Sequence, residues 1–410
     1  LREAFDICND NFTELYGGTT SALGFKSEGT NFTGSLLIGH STTGTISSAE
    51  YNTGIGISTL DALTSGDRNV AVGAFAGTNI NSATGNVLVG SNAGDALQGG
   101  SYNIAIGYHA LSAEDGHGRN IAIGYRALQD QNAGADAYNI AIGHDAGKEL
   151  TTGVQNIIIG GLAGDALTGG TNNVAIGYAA LSNADTDGRN VAIGVRALED
   201  QDAGNNTYNV AIGYEAGKNV TTGVQNTILG AAAGDALTTG ADNVAIGYAA
   251  MTTDDAGGRN VAVGAFALRM QNGGDANVYN VGIGYGAGSS MTSGTLNTII
   301  GGNAGDSLTT GSSNIAIGYN ALLTEDTGQA NIAIGQGTLQ NANYDGTAYN
   351  VAIGHEAGND ITTGVSNTLI GGRAGDQLTT GSSNVAIGLD ALDAEDTGSR
   401  NVAIGHNALK

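Results

Sequence analysis

The sequence predicts an all-β fold, a parallel β-roll or β-helix solenoid wound from 17-residue coils. One observation is the motif Asn173-Val174-Ala175-Ile176-Gly177, which recurs with matching asparagines at Asn69, Asn86, Asn103, Asn120 and onward to Asn401. A second is the spacing of those asparagines: 17, 17, 17, then 19 or 20 residues, so that four coils nest in a super-repeat of 70 residues (71 once). Self-similarity at a fixed short period marks a solenoid, in which each repeat touches only its neighbours. The third is composition. Seventy glycines and no proline suit tightly wound strands with many turns, because glycine accepts positive φ and proline cannot donate to a continuous ladder. Disorder is excluded by the 40% of hydrophobic residues, which recur at fixed positions.

With 14 basic and 38 acidic side chains the net charge is −24, which argues against nucleic acid and anionic membrane surfaces as partners. No apolar run approaches the roughly 20 residues of a membrane helix, so no membrane insertion is expected. The single cysteine, Cys8, excludes an intrachain disulfide framework. The chain shows no signal peptide and opens on Leu1 rather than Met, which reads as a processed chain or one cut from something larger.

Taken in order, residues 1–16 read as a short N-terminal α-helix stopped by Gly17-Gly18. Leu1, Phe5, Cys8, Phe12 and Leu15 are spaced 4, 3, 4, 3, a heptad seam. Two heptads are too short to stand alone, so the helix is expected either in a small bundle of several chains or as a cap over the first coil. Residues 17–34 are polar and rich in Gly, Ser and Thr, a connector; residues 35–410 form the repeat shaft, with degenerate coils near Ser35 and Asn52 before the regular ones from Asn69.

Number each coil from its asparagine as position 0. Positions 1 and 3 are mostly Val or Ile, position 2 mostly Ala and position 4 Gly, which is period-two alternation over a short strand. In the regular coils from Asn69, position 7 is Ala except at Thr338. In the first two coils of a super-repeat position 8 is Gly and position 11 large and apolar, as in Gly164 with Leu167; in the last two, position 8 is itself Leu or Met, as in Leu181 and Met251. One interior space is thus filled from either of two backbone positions, as a narrow close-packed core requires. Seventeen residues accommodate two short strands and two turns, so a two-strand roll is expected.

In that roll position 2 should face away from the interior, yet it is small and apolar, and once per super-repeat it is large: Leu88, Ile158, Ile228, Ile299 and Leu369. This pattern is expected of a seam against other chains, with the bulky residues as register marks. Together with the heptad it points to a parallel homotrimer.

Asn-Val-Ala-Ile-Gly at coil spacing resembles the head repeat of trimeric autotransporter adhesins, a left-handed parallel β-roll built by three chains. The resemblance covers about 375 residues, but the coil here is longer and no anchor domain or long stalk is present. The opening Leu1-Arg2-Glu3-Ala4-Phe5, with Asn9-Asp10-Asn11-Phe12-Thr13-Glu14-Leu15, resembles a segment common in structural proteins of tailed phages, especially tail fibres. Together the resemblances imply a phage tail fibre shaft: a non-catalytic virion protein outside the cell. It would join other tail proteins through its N-terminus and take part in host receptor recognition. The alternative they leave open is a bacterial surface adhesin or extracellular filament of the same fold, and a polysaccharide depolymerase is a third reading without a carboxylate constellation to support it.

Strings such as Ile159-Gly160-Gly161-Leu162-Ala163-Gly164 lack the following helix that a nucleotide-binding loop requires. Asp95, Asp165, Asp235, Asp306 and Asp376 recur once per super-repeat and read as turn-stabilising carboxylates. The acidic turns around Glu114-Asp115, Asp185-Thr186-Asp187 and Glu395-Asp396 are expected to be solvated, with Arg119, Arg189 and Arg400 as counter-charge. His144, His355 and His406 share position 5 without a His-x-His pair. No catalytic set, cofactor or metal is therefore assigned. The candidate binding elements are the lengthened fourth-coil turns at 129–138, 199–208, 269–279 and 340–349, which end in Tyr138, Tyr208, Tyr279 and Tyr349. Regular insertions in a solenoid map to one face, often the binding face. Amide groups beside an aromatic ring suit sugar hydroxyls and ring C–H groups, so a host surface glycan is the candidate partner; the alternative is a tyrosine that packs over the turn and covers the seam.

Overall fold

A computed structural model describes residues 25–27, 33–39, 46–274, 277–394 and 396–410. The expected helix 1–16, with its heptad Leu1, Phe5, Cys8, Phe12 and Leu15, lies outside the described residues. The chain divides into two compact units, Leu1–Ala179 and Ala180–Lys410. Each is a β-solenoid. In the first, Phe25–Ser27, inside the expected connector, pairs antiparallel with Leu36–Ile38, and parallel strands then follow one per coil to Val174–Ile176. In the second, parallel strands run from Val191–Ile193 to Val402–Ile404, each in register with the next.

Each coil spends only three residues in its strand. The remaining residues form successive tight turns: Ala93 N–H donates to Gly90 C=O at 3.3 Å and Leu97 N–H to Gly94 C=O at 3.2 Å. Between these turns other amides reach the neighbouring coil, as Gly94 N–H does to Ala110 C=O at 2.9 Å. The second strand of the expected two-strand roll is therefore not found among the described residues. Its place is taken by a ribbon of turns, because positions 6, 8 and 16 adopt left-handed backbone conformations (Leu162 φ +57°, Gly164 +50°, Asn172 +59°) that a strand does not contain. Position 4 is Gly for a stronger reason. At Gly160 φ is +137° and a Cβ would lie 2.3 Å from the carbonyl oxygen of Gly177 in the next coil, so any side chain there would force the coils apart.

The strand faces are reversed relative to the sequence expectation. Position 2 points into the chain's own interior and is fully buried, while positions 1 and 3 are half-buried or exposed. Leu88, Ile158, Ile228, Ile299 and Leu369 are all buried at 0% exposure within a single chain, so they do not form a seam to other chains. Their periodicity has an internal cause. Each sits in the second coil of a super-repeat, where position 8 is Gly in its own coil and in the coil before. A Cβ on Gly147 would meet Ile158 Cδ1 at 2.9 Å, and one on Gly164 would meet it at 3.5 Å. Where position 8 is Leu or Met, position 2 shrinks to Ala. Large and small residues are exchanged across the core, so that one interior space is filled from different backbone positions.

The asparagine at position 0 holds the coils together. Asn243 N–H donates to Asn226 Oδ1 at 3.0 Å, Asn243 Oδ1 accepts Asn260 N–H at 2.9 Å, and Asn243 Nδ2 donates to Gly257 C=O at 2.8 Å. The N–H to Oδ1 bond recurs along both units, from Asn52–Asn69 in the first to Asn384–Asn401 in the second, but the amide bond to the carbonyl 14 residues on is not made in the fourth coils, where Asn120 Nδ2 is buried without a partner and Asn260 Nδ2 turns to Asp254. Apart from the terminal Asn401 these asparagines are buried, so their amides need partners inside. The series is interrupted at Asn331, whose Oδ1 and Nδ2 are buried without partners.

Two outcomes are expected. Asn243→Ala, which strands a buried amide and a buried carbonyl, should lower stability to denaturant by roughly 2–5 kcal/mol. Ile158→Ala, a core truncation, should lower it by about 2–5 kcal/mol without changing the oligomeric mass by light scattering, whereas a seam residue would change the mass.

Candidate functional site: the fourth-coil loops

The lengthened turns are anchored from inside. In three of them position 11 is a fully buried glutamine: Gln131, Gln201 or Gln271. Gln201 Oε1 accepts Asn209 Nδ2 at 2.6 Å, and its Nε2 donates to Thr221 C=O at 2.6 Å, tying the loop to the next coil's asparagine and backbone. Gln131 and Gln271 repeat the arrangement. In the fourth loop Ala342 stands at this place and that anchor is missing, in the coil where the asparagine series is interrupted.

A second anchor comes from the coil before the loop. Glu114, Asp187, Asp254 and Glu325 are fully buried, although Asp115 and Asp185 beside them are exposed. The solvated reading is thus corrected for Glu114 and Asp187; Asp396 of the third acidic turn is exposed as expected, and Glu395 lies outside the described residues. Glu114, Asp254 and Glu325 occupy position 11, the slot that Leu97 or Leu167 fills in other coils. Each accepts the backbone N–H three residues on: His117 at 2.9 Å, Gly257 at 2.8 Å and Gly328 at 2.7 Å. Asp187 and Glu325 also reach the loop itself, through the N–H groups of Ala203 at 3.1 Å and Tyr344 at 3.4 Å. The loop backbone is completed by parallel bridges Gly188–Asn206, Gly258–Asn277 and Gln329–Thr347.

Burial raises the carboxyls of Asp187, Asp254 and Glu325 above the ordinary carboxylate range, Asp254 to about 6. Hydrogen bonds from the backbone pull the other way but do not cancel the desolvation.

The four tyrosines that close the loops are exposed, at 52, 48, 47 and 64% for Tyr138, Tyr208, Tyr279 and Tyr349. An arginine one coil earlier lies over each of the first three rings: Arg119 at 5.5 Å from Tyr138, Arg189 at 5.4 Å from Tyr208 and Arg259 at 5.6 Å from Tyr279. Arg259 Nη1 also donates to Tyr279 Oη at 2.8 Å. Position 16 of the equivalent coil is Ala330, so Tyr349 has no such cover and is the most exposed of the four. Arg119 pairs with Asp136 of the loop it covers, and Arg259 lies 3.4 Å from Asp242, so these arginines serve the tyrosines and outer acids. A hollow of about 430 Å³ opens at the fourth loop between Asp326, Asn343, Tyr344, Asp345 and Thr363. Its aromatic is Tyr344, not the Tyr349 singled out from the sequence. The repeated arginine cover was legible only from coil stacking.

At position 5, Tyr108, Tyr125 and His144 stack at 5.5 and 4.9 Å, and His144 lies 3.2 Å from Asp145. The repeated aspartates bond within and between turns: Asn92 Nδ2 donates to Asp95 Oδ2 at 3.0 Å and Ser289 Oγ to Asp306 Oδ1 at 2.5 Å. Among the described residues no helix is long and apolar enough to cross a membrane. No protein-family model matches the chain, and neither curated proteins nor solved structures give a match. The fold defines the class: a β-solenoid compatible with a fibrous structural protein.

The buried carboxylates make stability depend on pH. Because the folded-state value of Asp254 lies above the ordinary 3.8, the folded protein takes up its proton before the unfolded chain does. Its penalty is present at pH 7 and is relieved as pH falls through about 6 towards 4. Relative to Asp254→Asn, the wild-type chain should gain on the order of 3 kcal/mol between pH 7 and pH 4, read from denaturant midpoints.

Proposed function

We propose that this chain is the shaft of a homotrimeric phage tail fibre, non-catalytic, that carries receptor recognition away from the virion and contacts surface glycan through its fourth-coil loops. The observation that supports self-association is the outward face of the strands. Positions 1 and 3 place Val, Ile, Leu or Thr outside in coil after coil, with Ile142, Ile283, Ile353 and Ile387 each 37% exposed. In-register stacking aligns them in two columns within each unit. A soluble monomer rarely exposes so continuous an apolar patch. The occupant that fits is the same flat, small-pitch strand surface on two further copies, aligned in parallel by the repeat itself. This moves the seam from position 2 to positions 1 and 3.

The phage assignment rests on the N-terminal segment, through which the fibre would join other virion tail proteins. The glycan assignment rests on the loops' amide, carboxylate, hydroxyl and tyrosine groups, and on the hollow beside Tyr344. A bacterial surface adhesin of the same fold is the second reading, supported by the Asn-Val-Ala-Ile-Gly repeat. Attachment to purified virions rather than to the bacterial envelope separates the two.

Light scattering of the intact chain should give three chain masses, and Ile283→Glu combined with Ile353→Glu should reduce them to one while the circular dichroism of the β-fold remains. A wild-type monomer would end the trimer reading.

A further inference from the structure

The third coil of the first super-repeat holds a side-chain group that its counterparts lack. Glu114, Asp115 and His117 each offer one ligand atom, and these atoms lie within 4.8 Å of one another. Glu114 is fully buried; its Oε1 accepts the His117 N–H, and its Oε2 is buried with no partner. His117 Nδ1 stands 3.4 Å from Oε1 and is buried without a hydrogen bond. In the counterpart coils that carry Asp254 and Glu325 the second carboxylate oxygen is occupied. Asn260 Nδ2 reaches Asp254 Oδ2 at 3.3 Å, and the Tyr344 N–H reaches Glu325 Oε2 at 3.4 Å. Asn120, the counterpart of Asn260, is instead left with its Nδ2 unpaired.

We propose that Glu114, Asp115 and His117 form a site for one divalent cation of the zinc type. The donor set is one imidazole nitrogen and two carboxylate oxygens. That suits zinc, which takes nitrogen and oxygen at about 2.0–2.2 Å. Calcium is disfavoured, since it requires six or more oxygens and this turn does not supply them. Tetrahedral donors at those bond lengths lie about 3.4 Å apart, so closing the present cluster needs only side-chain adjustment. A cation would give the orphaned Glu114 oxygen the partner that burial denies it. Arg119, two residues further on, is held by Asp136. Beside the cluster a hollow of about 330 Å³, lined by Asn81, Gln98, Gly99, Asp115 and Gly116, gives the ion and its waters a route in. The site lies within one chain and does not depend on the oligomer proposed above.

The test is calorimetric titration of the chelator-treated full chain with zinc chloride at pH 7. One zinc per chain should bind with a Kd at or below about 100 µM. His117→Ala and Asp115→Asn, at a partly exposed and an exposed position and so expected to fold, should each weaken it by about tenfold or more, while His144→Ala leaves it unchanged. Absence of saturable binding in that range, or binding that survives His117→Ala or is lost with His144→Ala, would overturn the proposal.

Discussion

The buried asparagine at the start of each coil is the constraint on which the rest depends. Its carbonyl accepts the backbone N–H of the next asparagine, and outside the fourth coils its amide donates to a carbonyl 14 residues on, as Asn226 does to Gly240 at 2.8 Å. One side chain therefore closes its own coil and fixes the register of the next. A hydrophobic residue in this slot would leave two backbone groups unpaired in a dry interior. Aspartate would bring a charge against a carbonyl oxygen. The asparagine thus sets the repeat length at the corner from which every strand departs, and lengthening is confined to the far turns, where the fourth-coil loops occur.

With the corner fixed, the interior is so thin that position 2 and the facing turn residues compete for one volume. Ile158 is admitted because Gly147 and Gly164 yield space, and Ala175 suffices where Leu181 fills it. The same economy extends to polar groups. Glu114, Asp254 and Glu325 take a leucine slot and exchange apolar packing for bonds to their own turns. Burial makes these carboxylates harder to ionise, which binds loop geometry to pH. Because the core consumes position 2, positions 1 and 3 are left as the apolar outer surface, and it is this surface that calls for a partner.

Much of the fold was legible in the sequence, since a solenoid repeats its own evidence. The asparagine spacing located the strands, and the Gly-or-Leu alternation at position 8 revealed the shared core. What failed was direction. Alternation along a three-residue strand shows two faces but not which one looks inward, and Ala at position 2 reads as an outer seam because it is small. Its complement is Leu181 or Leu198 across the core of the same chain, visible only once the turn ribbon is placed. The turn ribbon itself was hidden because left-handed φ at Leu162, Leu181 or Tyr138 is not signalled by residue type. For the candidate site, the loops and their tyrosines could be found from the insertions alone. The arginines above them and the carboxylates beneath them come from a different coil, so stacking had to be known first.

Hydrogen exchange of selectively ¹⁵N-labelled asparagine side chains tests the central claim most directly. The account expects the Nδ2 protons of the position 0 asparagines, Asn243 among them, to exchange only through opening of the coil stack, far more slowly than those of exposed amides such as Asn183. Exchange of Asn243 Nδ2 protons at the rate of a free asparagine would contradict it, because a solvated amide could hold neither its own coil nor the next.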